Sequence, residues 1–217
     1  MAVLPIEIVS ADARSLGRRS LHEILLLVVL CGCAYGAIMG MYGGLGISRW
    51  EQILYSAVKV PLLLMVTFTL CLPSFFVLNT LLGLRDDFTV VLRALVLTQA
   101  GLTVILLSLA PYTAFWYINF EPYRIAILFN GLMFAIASLA AQLILIRLYR
   151  PLIVRNVRHR FMLVVWLVQY TFVGIQMGWV LRPFIGHPTM PTEFFREDSW
   201  TNAYVVIAQM IWDVLGG

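Results

Sequence analysis

The sequence predicts an all-α, polytopic transmembrane helix bundle of five spans followed by a short C-terminal helix at the interface or docked on the bundle. Three observations carry that reading. Hydrophobic residues make up 61% and charged residues 12% of the 217 positions, against about 45–50% and about 25% in soluble domains. The mean hydropathy is +0.90. Five charge-free runs each reach the roughly 20 apolar residues that a spanning helix needs, and a charged residue bounds every one at both ends. So few charges cannot coat a soluble domain, which excludes a soluble enzyme, a nucleic-acid binder and a disordered scaffold.

The runs are Ile24 to Ser48, Val60 to Leu84, Ala94 to Phe120, Ile125 to Ile146 and Phe161 to Leu181. Residues 1–19 read as a cytoplasmic amphipathic tail, 20–182 as the bundle, and 183–217 as an extracytoplasmic Pro/aromatic segment with the short helix. Ser20-x-x-Glu23 and Ser48-x-x-Glu51 fit capping boxes, in which hydroxyl and carboxylate satisfy amides left over at a helix start. Asp86 and Asp87 before the third span, and Glu121-Pro122 before the fourth, suit acidic first turns and proline at the first helical position. Gly83 and Pro151 read as stops. Ala203 to Leu215 is too short to cross alone and carries Asp213. No small-residue cleavage site follows the first apolar run, so it is expected to remain as an uncleaved helix.

Fourteen of the fifteen cations are arginine, and they gather at the ends of the runs. Ten, including Arg14, Arg18, Arg19, Arg85, Arg93 and the five from Arg147 to Arg160, fall on the side of the N-terminus. Arg49, Lys59, Arg124, Arg182 and Arg196 fall on the other. Cytoplasmic loops carry the excess of Lys and Arg. The N-terminus is therefore expected in the cytoplasm, in a multi-pass plasma membrane protein of bacterial inner-membrane type.

Gly32, Gly36, Gly40 and Gly44 recur every four residues, forming one helix face that another backbone can approach closely. That face suits packing inside the chain, against span two or four, or a homo-oligomer or partner interface. Span four offers a small-residue surface in Gly131, Ala135, Ser138 and Ala141. Lys59 is the candidate intramembrane charge. A helix from Ser48 to Leu82 would be too long for the hydrocarbon core, so Pro61 and Pro73 are expected to break or kink it. Lys59 then either snorkels to water or is buried and needs a carboxylate, with Glu121 or Asp213 as candidates. Asn79, Gln99, Asn130, Gln142, Gln169 and Gln176 are amides inside spans, suited to interhelical hydrogen bonds. Arg182, Phe184, Phe194, Phe195 and Trp200 form a candidate outer contact for a partner or a lipid, where arginine grips phosphate or carboxylate.

No catalytic motif, cofactor site or metal spacing is present; His22, His159 and His187 are scattered, and Cys31, Cys33 and Cys71 sit in apolar runs as small hydrophobes. Lys59-Val-Pro-Leu-Leu-Leu with Cys71-Leu-Pro-Ser and Asn79-Thr-Leu-Leu-Gly83, and Leu181-Arg-Pro-Phe-Ile-Gly186, resemble two blocks of an uncharacterised family of bacterial polytopic membrane proteins. The plan alone is similar to that of five-span Golgi trafficking proteins that bind Rab GTPases. Neither resemblance implies an activity. The expected function is a non-enzymatic scaffold or accessory subunit of a larger membrane complex, meeting membrane lipids and a protein partner or its own copy, and no nucleic acid. A small transporter or channel using Lys59 and the amides is the alternative, and a lipid-handling enzyme the third.

Overall fold

The computed structural model describes residues 20–42, 50–119, 123–186, 192–195 and 205. Five helices hold most of them: α1 (Leu21–Gly40), α2 (Trp50–Leu81), α3 (Phe88–Asn119), α4 (Tyr123–Arg155) and α5 (Arg158–Val180). Each is long and apolar enough to cross a membrane, and no strand occurs among the described residues. The chain is an all-helical, multi-pass membrane protein. The expected tail at 1–19, the C-terminal helix at 203–215 apart from the helical Val205, and the signals at Ser48 and Glu121-Pro122 lie outside the described residues.

Helix ends follow the predicted chemistry where they are described. Ser20 Oγ accepts from the Glu23 amide at 3.3 Å, and the Ser20 amide donates back to Glu23 Oε2 at 3.1 Å. Gly83 does end α2. The Leu84 amide donates to the Asn79 carbonyl at 2.8 Å and the Gly83 amide to Thr80 at 3.0 Å. This double closure needs a left-handed residue, and Gly83 supplies it with φ +71°.

Of the break or kink expected at Pro61 and Pro73, no break occurs, and Pro151 does not stop its helix. α2 runs unbroken through Pro61 and Pro73, and α4 through Pro151. Proline removes one internal bond, which a membrane helix tolerates when neighbours re-satisfy the backbone. Beside Pro73, Gln169 of α5 donates to the Cys71 carbonyl at 3.1 Å and also bonds Ser74. Beyond Pro151, buried Leu152 still receives the Asn156 amide at 2.9 Å. At about 1.5 Å per residue, the 32 residues of α2 extend roughly 48 Å, well past a core of about 30 Å.

The helices close a ring in the order α1, α2, α5, α4, α3, with α3 also the most enclosed. Of its apolar stretch 67% is buried, against 22% for α5. Three clusters of buried side chains fill the bundle, the smallest joining Ile24 and Val28 to Val96, Leu97 and Ala100; the other two differ in which helices they hold. One, near the arginine-rich end, joins Phe75, Val91, Leu145, Tyr149 and Trp166, so it includes both α4 and α5. The other joins Tyr35, Met39, Leu106, Ala126 and Ile185 and contains no buried residue of α5. The last two helices thus pack at one end and separate toward the other.

At the packed end, Asp86 and Asp87 lie in a 3-10 turn before α3 instead of in its first turn. Asp87 faces His159 Nε2 at 3.1 Å and Arg155 Nη1 at 3.4 Å, while Arg158 donates to the Leu82 carbonyl at 2.9 Å. The α2–α3 turn is thereby stapled to the α4–α5 connection. Losing a buried partner's bond costs about 1–3 kcal/mol. Asp87→Ala should lower the thermal unfolding midpoint in detergent, and Asp86→Ala, on an exposed side chain, should leave it unchanged. Equal midpoints for both would remove the staple.

Candidate functional site: a boundary cavity under a polar strap

Gln52, Ser56 and Lys59 stand at i, i+4 and i+7, so they share one face of α2. Lys59 lies 22 residues from Leu81, about 33 Å along the helix, about the thickness of a hydrocarbon core. Residues 182–186 cross this face as a strap. Lys59 Nζ donates to the Pro183 carbonyl at 2.8 Å and sits 4.9 Å from the centroid of the Phe194 ring. Ser56 Oγ donates to the Phe184 carbonyl at 2.5 Å, and Gln52 Nε2 donates to Ser56 Oγ at 3.0 Å and to the same carbonyl at 3.4 Å. Gly186 allows the close crossing, since a Cβ there would stand 2.8 Å from Gln52 Cγ.

Lys59 is therefore not a snorkelling residue; it is 0% exposed. The unbroken helix keeps it within the bundle and the strap closes over it. The carboxylates considered for it, Glu121 and Asp213, lie outside the described residues.

Where α4 and α5 separate, the strap roofs a cavity of about 470 Å³. Its walls come from Met39 of α1, Leu63 of α2, the first three turns of α4, Trp179, and strap residues Arg182 to Ile185. Ile127 and Gly131, on the exposed side of α4, are part of the lining, so the cavity opens sideways on the surface of the bundle. A Cβ on Gly131 would meet nothing within 4 Å. Arg182 makes a cation–π contact with Trp179, its Cζ 3.5 Å from the ring centroid. Tyr123 Oη donates to the Ile185 carbonyl at 3.2 Å, tying α4 to the strap.

Asn130 is the one carboxamide on this wall. Its Nδ2 donates to Tyr117 Oη at 2.7 Å and to the Ala126 carbonyl at 2.8 Å. A carbonyl only accepts, so the Ala126 bond fixes which end of the amide is which. Tyr117 in turn donates to the Met39 carbonyl at 3.2 Å. Asn130 Oδ1 has no protein partner, although the residue is only 1% exposed.

The glycine face is used inside the chain. A Cβ on Gly36 would lie 2.3 Å from the Ser56 carbonyl oxygen, and one on Gly40 2.8 Å from Ile53 Cα. Gly32 faces Pro61 at 3.2 Å, and Gly44 lies outside the described residues. α2 fills this face, so it is not a docking surface for a partner. The small-residue surface of span four does not meet it either: Ala141 is buried, whereas Gly131 and Ala135 are exposed.

Of the outer contacts expected from sequence, Arg182 and Phe184 line the cavity. Phe194 packs edge-on against Tyr55 at 5.3 Å, Phe195 packs on Phe194 at 4.8 Å, and Trp200 lies outside the described residues. The span amides are used separately. Gln99 accepts from Tyr170 at 2.8 Å, Asn79 donates within its own helix, and Gln169 supports Cys71. They do not converge on a path. Sequence reasoning missed the roles of Gln52, Ser56, Tyr123, Gly131 and Trp179. The polar stripe on α2 was a readable signal for the first two.

Among the described residues no group of three His, Cys, Asp or Glu side chains could hold a metal ion. No family model, curated protein or solved structure matches this chain.

Proposed function

We propose that this protein binds a membrane amphiphile in the lateral cavity between α4 and α5, as a non-enzymatic binding component of the membrane. The observation that carries this reading is a cavity of about 470 Å³ whose lining includes the lipid-facing residues Ile127 and Gly131. That volume falls within the roughly 300–1,000 Å³ of ligand sites, which are mostly apolar with few polar groups. Here the polar groups are Arg182, Asn130 and Tyr123. The separated outer spans make entry from the bilayer direct.

Placing the arginine-rich end in the cytoplasm of a bacterial cell puts the cavity in the outer leaflet of the inner membrane. Cysteine labelling in intact cells tests this side. A cysteine at Asn156 should be protected and one at His187 labelled; equal labelling would reverse or break the topology.

Gly131→Phe tests the site itself. The new ring enters open space, so the fold should hold its unfolding temperature. Native mass spectrometry of protein extracted in mild detergent should find a lipid adduct on the wild type and not on the variant. An equal adduct on both would contradict the proposal.

A further inference from the structure

A second pocket, of about 230 Å³, lies between α1, α2 and α3 and shares no lining residue with the cavity between α4 and α5. Seven of its nine lining residues are apolar and none is charged. Leu25, Met65 and Thr69 of the lining are exposed, so the pocket opens on the surface of the bundle. Gln99 of α3 also lines it and is only 6% exposed. Its Oε1 accepts from the Tyr170 hydroxyl at 2.8 Å. That hydroxyl has no other hydrogen-bond partner among the described residues, so its hydrogen is satisfied only if Gln99 turns its oxygen that way. The Nε2 end of the amide is left over. It has no partner among the described residues, and it is not one of the fully enclosed polar atoms of the bundle. The space it meets is the pocket.

We infer that this pocket takes the head of a quinone-type molecule, a neutral ring carbonyl compound dissolved in the bilayer, whose carbonyl accepts from Gln99 Nε2. An amide nitrogen only donates, so the ligand atom is an acceptor. Uncharged walls call for a neutral ligand, since a buried charge needs a partner. Depth removes the acceptors of the bilayer lipids themselves. Gln99 stands six residues past Arg93, where the charge-free run begins, and Val28 eight past the capping Ser20, about 9 and 12 Å along their helices. Phosphates and ester carbonyls belong to the polar layers outside the hydrocarbon, and acyl chains carry no acceptor. A donor left unpaired at this depth is costly. The acceptor that reaches it sits on an apolar molecule free to sink among the chains. Phe68 selects a ring: Trp166 packs edge-on against it at 5.6 Å, which fixes an aromatic wall for a flat conjugated head.

The test uses the full-length protein in mild detergent and two probes at equal concentration, decyl-trimethylbenzoquinone and the decyl-trimethylbenzene that lacks its carbonyls. Binding is read by native mass spectrometry, and the carbonyl stretch of the bound quinone by infrared difference spectroscopy. A site built to hydrogen-bond its ligand rejects an analogue that cannot. The wild type should bind the quinone at least tenfold more tightly than the hydrocarbon and show a carbonyl band shifted to lower frequency. Gln99→Leu should bring the two probes to equal affinity and lose the shifted band. Thr69→Phe, which fills the mouth of the pocket from an exposed position, should bind neither probe, while its unfolding temperature shows that it is folded. Gly131→Phe, in the other cavity, should bind the quinone as the wild type does. Equal binding of both probes by the wild type would overturn the inference. So would loss of the quinone in Gly131→Phe with retention in Thr69→Phe, which would move it to the cavity between α4 and α5. Should Gln99→Leu fail to fold, the wild-type infrared band decides: its presence supports the bond to Gln99, and an unshifted carbonyl contradicts it.

Discussion

Isoleucine at both Gly36 and Gly40 should strongly destabilise the bundle, and no partner needs to be present for the effect to appear. The atoms that a side chain would meet are the Ser56 carbonyl at 2.3 Å and Ile53 Cα at 2.8 Å, both backbone of α2. Backbone cannot rotate aside as a side chain does, so the two helices must part. Overpacking costs about 1–3 kcal/mol per site, and two sites on one crossing give roughly 2–6 kcal/mol. Marginal stability is only about 5–15 kcal/mol. The thermal unfolding midpoint in detergent should fall sharply, while Leu30→Ile, at 59% exposure, should leave it within error. A double variant that keeps its midpoint would place the glycine face away from α2.

Lys59 should produce the second large effect, because it ties the strap to the bundle. Lys59→Met keeps the volume and loses the bond to Pro183, leaving that carbonyl unpaired for about 1–3 kcal/mol. Lys59→Ala also opens a void beneath Phe194, and truncating long buried side chains costs about 2–5 kcal/mol. The order wild type, methionine, alanine should therefore hold for stability. Hydrogen exchange at the Phe184 and Ile185 amides should rise in both variants before global unfolding. Unchanged exchange in Lys59→Met would mean that Ser56 and Gln52 hold the strap without it.

Architecture was legible because the bilayer imposes a length on every span. Charge-free runs gave the number of helices, and the Ser20 and Gly83 signals gave two ends to the residue. The boundaries that moved have a common cause. Charge rules mark the edge of the hydrocarbon, whereas α2, α3 and α4 continue as helix for turns beyond the charge-free runs. Pro151 was misread as a stop for that reason, since α4 continues past it to Arg155; of the two alternatives for Lys59, the buried one is found, inside a helix that extends beyond its run. The cavity was not legible at all. It depends on α4 and α5 packing through Tyr149 and Trp166 at one end and diverging at the other, which no local pattern encodes. Asn130 was visible as a span amide, but its unpaired oxygen emerges only when Tyr117 and Ala126 take both of its donors.

The most direct measurement is a density map of the protein in a lipid nanodisc. The account predicts one chain-like density entering between α4 and α5, running from Arg182 past Asn130 to Phe134. A cavity closed by contact between the outer halves of α4 and α5, or one empty of density, would contradict it.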